Sequence, residues 1–157
     1  MDKNESISVF KVTLEGNKKL WRRIAIQGNQ TLDDLHEAIF SAFDRDEEHL
    51  YSFYFPKPGR SGRAALRDAA EYACPYNCKD QDIAALPGES PRNAEKAKIG
   101  ALKLRTGQKF KYLFDFGDSW WHEITVETAD APAEEGKYPR ILERHGESPQ
   151  QYPDSEE

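Results

Sequence analysis

The chain has 157 residues, 32% of them charged, and a formal net charge of −6. That length favours one domain with a core large enough to need no staples. The acidic balance argues against a general phosphate-binding surface, which needs clustered Lys and Arg. Cys74 and Cys78 are too few for a disulfide framework, no apolar run is long enough to span a bilayer, and MDKNESISVF lacks the apolar stretch of a signal peptide. The expectation is a cytoplasmic protein without membrane contact.

In chain order, ISVFKVTL at residues 7–14 reads as a strand, and Gly16-Asn17 as a turn. Residues 19–27 return as a second strand, with Leu20, Ile24 and Ile26 on one face and Trp21 and Ala25 on the other. Arg22 and Arg23 inside it imply that part of this strand faces water or an acidic partner. Thr31 then starts a helix, with Asp34 completing a capping box and Asp33 suiting the positive end of the dipole. Leu32, Leu35, Ala38, Ile39, Ala42 and Phe43 form its apolar stripe. Residues 50–55, LYSFYF, alternate as a third strand.

Residues 56–97 read as an insertion. Pro56, Pro58, Gly59 and Gly62 mark a loop, and a short helical stretch is expected around Ala64 to Ala73. Ser90-Pro91 is a helix start, continued by Ala94, Ala97, Ile99, Ala101 and Leu102 and ended by Gly107.

The densest signal is KFKYLFDFGDSWWHEITVE at residues 109–127. Phe110, Tyr112, Phe114 and Phe116 recur every second residue on one face of a strand; Lys109, Lys111 and Asp115 take the other. On the return strand Trp120, His122, Ile124 and Val126 share a face, opposite Trp121, Glu123, Thr125 and Glu127. A three-residue loop, Gly117 to Ser119, would pair Phe116 with Trp120 and Phe114 with His122, keeping the faces unmixed. Beyond Ala129 the chain is rich in Glu, Pro and Gly, with Tyr138 to Leu142 positioned to dock on the sheet.

These elements predict an α+β single domain over 1–146, carrying the 56–97 insertion, with 147–157 as a disordered tail. The sheet is expected to be largely antiparallel, built from two hairpins with a packed helix, and its first four elements follow the order of a β-grasp start.

LWRRIAI, TLDDLHEAIFSAF, EEHLYSFYF and YLFDFGDSWWHEITVE, in that order, resemble the plasmid pRiA4b ORF-3-like family, whose members also occur as the TnpR-type passenger protein of some insertion elements. The run Asp115-Phe116-Gly117-Asp118-Ser119-Trp120 followed by His122 is the most specific part, and Tyr138-Pro139-Arg140 resembles the family's C-terminal portion. The resemblance implies an α+β domain and, in some relatives, a tie to mobile elements. It implies no mechanism, and nothing here has the look of recombinase chemistry.

Asp115, Asp118, Trp121, His122 and Glu123 are the candidate binding residues. Carboxylates beside an imidazole could hold a divalent metal or do acid–base work, which would make a metal-dependent hydrolase. The alternation, however, puts Asp115 and His122 on opposite faces, and Asp118 suits turn amides. Cys74 and Cys78 lack two further ligands for zinc. His36 at the stripe's edge and Glu47-Glu48-His49 read as a solvated helix end and strand entry. Arg22, Arg23, Lys57, Arg60, Arg63 and Arg67 could rim the insertion, with Tyr51, Tyr54 and Trp121 as stacking faces for nucleic acid; the acidic total opposes this. GRSG at residues 59–62 lacks the strand–helix context of a phosphate loop, so no cofactor or metal is expected. The leading expectation is a non-enzymatic binding or adaptor domain contacting a protein partner, the alternative a nucleic-acid-associated transposition accessory.

Overall fold

The structure, a computed structural model, describes residues 6–45, 50–57, 69–74, 92–115 and 120–147. Among these residues eight strands form one sheet: β1 (Ile7–Leu14), β2 (Trp21–Gln27), β3 (Tyr51–Phe55), β4 (Ala70–Ala73), β5 (Arg92–Asn93), β6 (Lys109–Phe114), β7 (Trp120–Ala131) and β8 (Arg140–His145). Their spatial order is β5-β4-β3-β6-β7-β1-β2-β8, and every neighbouring pair is antiparallel except β4 with β5. One α-helix, α1 (Leu32–Ala42), lies on one face.

This overturns the expected α+β architecture. The fold is an open mixed sheet with a single α-helix among the described residues, and two hairpins account for only half of it. The β-grasp comparison also fails, because β1 has β7 beside it, and β7 runs antiparallel to β1. Among its described residues the insertion supplies two strands, Ala70–Ala73 as β4 and Arg92–Asn93 as β5. The helix expected after Ser90-Pro91 is broken into β5 and two 3-10 turns, Ala94–Lys96 and Ile99–Leu102; Ser90, Pro91 and residues 64–68 lie outside the described residues. The reason is tertiary. Ala97 accepts from the Leu32 backbone N–H at 2.9 Å, Ile99 donates to Gln30 at 2.8 Å and Gly100 donates to Gly28 at 2.9 Å. Backbone groups bonded sideways to another segment cannot also close helical turns, so pairing overrides propensity. Gly107, expected to end that helix, turns the chain into β6 at φ +92°, with its N–H on Val126 O at 2.7 Å.

Other local readings hold. Thr31 caps α1, accepting from the Asp34 N–H at 3.2 Å while the Asp34 carboxylate accepts from the Thr31 N–H at 2.9 Å. Leu32, Leu35, Ile39 and Ala42 are buried against the sheet. Arg140–His145 docks as an edge strand on β2, with Ile141 opposite Ile24. In the β6–β7 ladder Phe114 faces Trp120, Tyr112 faces His122 and Phe110 faces Ile124. The register is therefore two residues away from the expected one, and the connection spans residues 115–119, of which 116–119 lie outside the described residues. A shift of two leaves the faces intact, so Phe110, Tyr112, Phe114, His122, Ile124 and Val126 all point into the core, as the alternation requires.

The core is built of rings: Phe55 stacks on Phe110 at 4.5 Å, Phe53 meets Tyr112 at 4.8 Å, and Phe10 meets Phe110 edge-on at 5.6 Å. Ile124 has no exposed surface and sits between Phe110 and Val12 on the neighbouring strands. Ile124→Ala is expected to destabilise the fold by about 2–5 kcal/mol. Thr31→Ala is expected to cost about 1 kcal/mol through loss of the cap. Urea midpoints at an unchanged slope provide the measurement.

Candidate functional site

The candidate residues are divided between the two faces of the sheet. His122 points inward and has no exposed surface; Trp121 and Glu123 point outward and are half-buried. Asp115 follows the last residue of β6 in a left-handed conformation, φ +61°, buried, with its N–H on Leu50 O at 2.9 Å; Asp tolerates that conformation better than most residues. Asp118 lies outside the described residues. Among the described residues, Trp121 and Glu123 therefore do not share a site with the inward His122.

On the inner face, polar groups thread the aromatic core. Arg45 lies just past α1, is 8% exposed, and donates from Nη2 to His122 Nε2 at 2.7 Å. His122 Nδ1 donates to the Tyr112 carbonyl at 3.3 Å. Both bonds are satisfied by one neutral tautomer, protonated at Nδ1. Burial, then the Arg45 charge, holds the imidazole well below its ordinary pKa. The Arg45 guanidinium is itself lowered to about 10 by burial. Its carbon lies 5.0 Å from the Phe43 ring, 4.9 Å from Phe114 and 5.4 Å from Trp120.

His36 was expected at a solvated edge. It is instead 1% exposed, with Nδ1 2.6 Å from the Tyr112 hydroxyl and its ring stacked on Tyr51 at 3.8 Å. The Tyr51 hydroxyl donates to Asp33, and burial followed by that bond raises its pKa. Arg22 is also interior. It donates from Nε to Ala42 O at 2.7 Å, where the α1 dipole ends negatively, and from Nη1 to Trp21 O and His145 O. The expectation of a solvent-facing strand therefore holds for Arg23 and fails for Arg22, because alternation places Arg22 with Leu20 and Ile24. Arg45, Tyr112 and Trp120 were not singled out as a unit. No periodic pattern marks Arg45, a lone cation within the acidic run Asp44 to Glu48.

The outer face is charged and aromatic. Trp121 packs on Tyr54 at 5.5 Å and lies opposite Leu113. Burial and then Glu71 raise the Tyr54 hydroxyl to about 12. Trp21 carries the Lys11 ammonium at 4.8 Å and the Arg23 guanidinium at 5.0 Å, and stacks on His145 at 5.1 Å. Arg23 bonds Glu127 at 2.5 Å and also Glu143. Lys111 bonds Glu15 at 2.6 Å, and Glu123 lies 3.6 Å from Lys109 and 3.7 Å from Lys111. Of the cysteines, Cys74 is a buried free thiol and Cys78 lies outside the described residues. Among the described residues no three His, Cys, Asp or Glu side chains are grouped to hold a metal, and no helix is long and apolar enough to cross a membrane. His49, Arg60, Arg63 and Arg67 lie outside the described residues.

Among the described residues, an open eight-stranded sheet with one α-helix on its inner face is the class that this geometry defines. The model of the plasmid pRiA4b ORF-3-like protein family matches residues 6–152, and the chain belongs to that family. It is 31% identical over 147 residues to the uncharacterized protein y4hQ of Sinorhizobium fredii, a match covering 92% of this chain and 64% of that relative's length. The crystal structure of a protein of unknown function, MM3350, from Methanosarcina mazei Go1 superposes with a TM-score of 0.69 at 22% identity, covering 94% of this chain and 73% of that one. That likeness shows the fold, and a fold does not carry a function with it.

The depressed pKa of His122 has a measurable consequence. The unfolded chain takes up a proton at His122 near its ordinary value of 6.5 while the folded chain does not. The unfolded state thus binds more protons below that pH, and stability falls as pH falls, by up to about 1.4 kcal/mol per pH unit. Glu127, held below the ordinary carboxyl value of 4.5 by Arg23, contributes its own loss only at more acidic pH. Urea titrations from neutral pH down to the Glu127 range should show this slope in the wild type and a flatter one in His122→Asn. The His122 ring protons should not titrate over the same interval in the folded wild type by NMR.

Proposed function

We propose that this domain is a non-enzymatic binding or adaptor module of a mobile-element-associated protein, working in the cytoplasm by protein contact through the outer face of its sheet. The observation that carries this reading is the trio Trp21, Tyr54 and Trp121, half-buried on the face opposite α1. Large rings whose edges stay accessible are the usual anchors of protein interfaces. A surrounding rim of carboxylates and cations suits a partner with interdigitated charge. The plasmid-derived description of the family supports the mobile-element tie.

The nucleic-acid alternative would use the same rings as stacking platforms. It is disfavoured because three cations of this face lie against carboxylates: Arg23 with Glu127 and Glu143, Lys111 with Glu15 and Glu123, Lys109 with Glu123. Hydrolysis at the 115–122 turn is disfavoured because both nitrogens of His122 are engaged in the interior.

Affinity capture with mass spectrometry, run in parallel on the wild type and Trp121→Ala, tests the reading. The variant is expected to keep its circular dichroism and melting transition and to lose at least about tenfold of a specific co-purifying protein, as removal of an interface anchor does. An unfolded variant would place Trp121 in the core. Equal capture, or a salt-sensitive shift of labelled DNA or RNA, would move the reading to another surface or to nucleic acid.

A further inference from the structure

We propose that the buried guanidinium of Arg45 and the indole N–H of Trp120 form a binding site for a single carboxylate group on a small apolar organic acid. Two polar atoms carry this. Arg45 Nη1 and Trp120 Nε1 are the buried side-chain nitrogens and oxygens left without a hydrogen-bond partner among the described residues. They belong to side chains in contact, the guanidinium carbon being 5.4 Å from the Trp120 ring. Buried donors without partners are rare in native proteins, and each calls for a missing acceptor.

The chemistry of the acceptor follows from the donors. An indole N–H and a guanidinium N–H only donate, so the complement is a group that only accepts. The rings of Phe43, Phe114 and Trp120 attract the cation through their faces, but they leave in-plane N–H groups unsatisfied. His122 takes Nη2, is neutral, and supplies no countercharge. Among the described residues the influences on the Arg45 charge are burial and Tyr112, with no carboxylate among them. A cation desolvated without an anion is unfavourable, and one carboxylate would remove both the charge imbalance and the orphaned donors, its two oxygens meeting two N–H groups. One guanidinium suits a monoanion better than a phosphate dianion, and the ring walls suit an apolar body. Arg45 lies beyond the helix and outside any strand, and its N–H bonds Phe40 O at 3.1 Å, so a ligand at its guanidinium breaks no strand ladder.

This site is on the inner face and is independent of the outer-face reading. The test uses the full-length wild-type protein and three probes: benzoate, benzamide as its neutral isostere, and inorganic phosphate. The readout is the indole N–H resonance of Trp120 in 1H–15N spectra, assigned with Trp120→Phe. Benzoate is expected to shift it saturably in the millimolar range, with benzamide and phosphate leaving it in place. Arg45→Lys, which keeps the charge and loses the fork, is expected to weaken benzoate by about tenfold or more. Because the main comparison is between probes on one folded protein, it does not depend on a variant folding. No saturable shift with benzoate, equal shifts with benzamide, or a response to phosphate in place of benzoate would each overturn the proposal.

Discussion

The register of β7 holds this molecule together. The strand lies between β6, which carries β3, β4 and β5 beyond it, and β1, which carries β2 and β8. Ile124 therefore faces Phe110 on one side and Val12 on the other, and His122 faces Tyr112 and Leu14. A slip of one residue would turn Glu123 and Thr125 inward and expose the whole apolar set. The buried pattern of both halves of the sheet leaves no such freedom. The shifts of pairing near Val9 in the β1–β7 ladder are confined to its far end, where the strand approaches Asp130.

With the register set, a polar side chain lands in the middle of an aromatic core. His122 is tolerated there because both nitrogens are bonded and the ring is neutral. Around it, Tyr51, His36, Tyr112 and Arg45 continue the chain of polar and stacking contacts from Asp33 at the start of α1 to Arg45, three residues past its end. Such a network ties the helix to the sheet with directional bonds, which apolar packing alone does not supply. Arg22 and Arg144 add to this at the C-terminal end of α1, both bonding Ala42 O.

The two faces consequently differ in kind. The inner face is buried and its polar groups are few, so that a single unmet donor there has consequences. The outer face carries partly exposed ion pairs, so that each pair contributes little to stability while the pattern as a whole defines a surface. The solved structure with the same fold shows that this arrangement of sheet and helix recurs in a distant sequence, and the functional question rests on what each face displays.

Strand alternation made much of this legible from the chain. The inward set Phe110, Tyr112, Phe114, His122, Ile124 and Val126, the Thr31 cap, the apolar stripe of α1 and the family could all be read directly, because period, capping chemistry and motif are local properties. The two-residue register shift, the conversion of the Ala94 to Leu102 segment from helix to paired turns, the adjacency of β7 to β1, the burial of His36 and the meeting of Arg45 with Trp120 were decided by tertiary structure. Each depends on which distant backbone groups and rings compete for the same space. No window of neighbouring residues contains that information, since a hydrogen bond or ring contact across 70 or more positions, such as Arg45 to His122, exists only after the sheet has assembled.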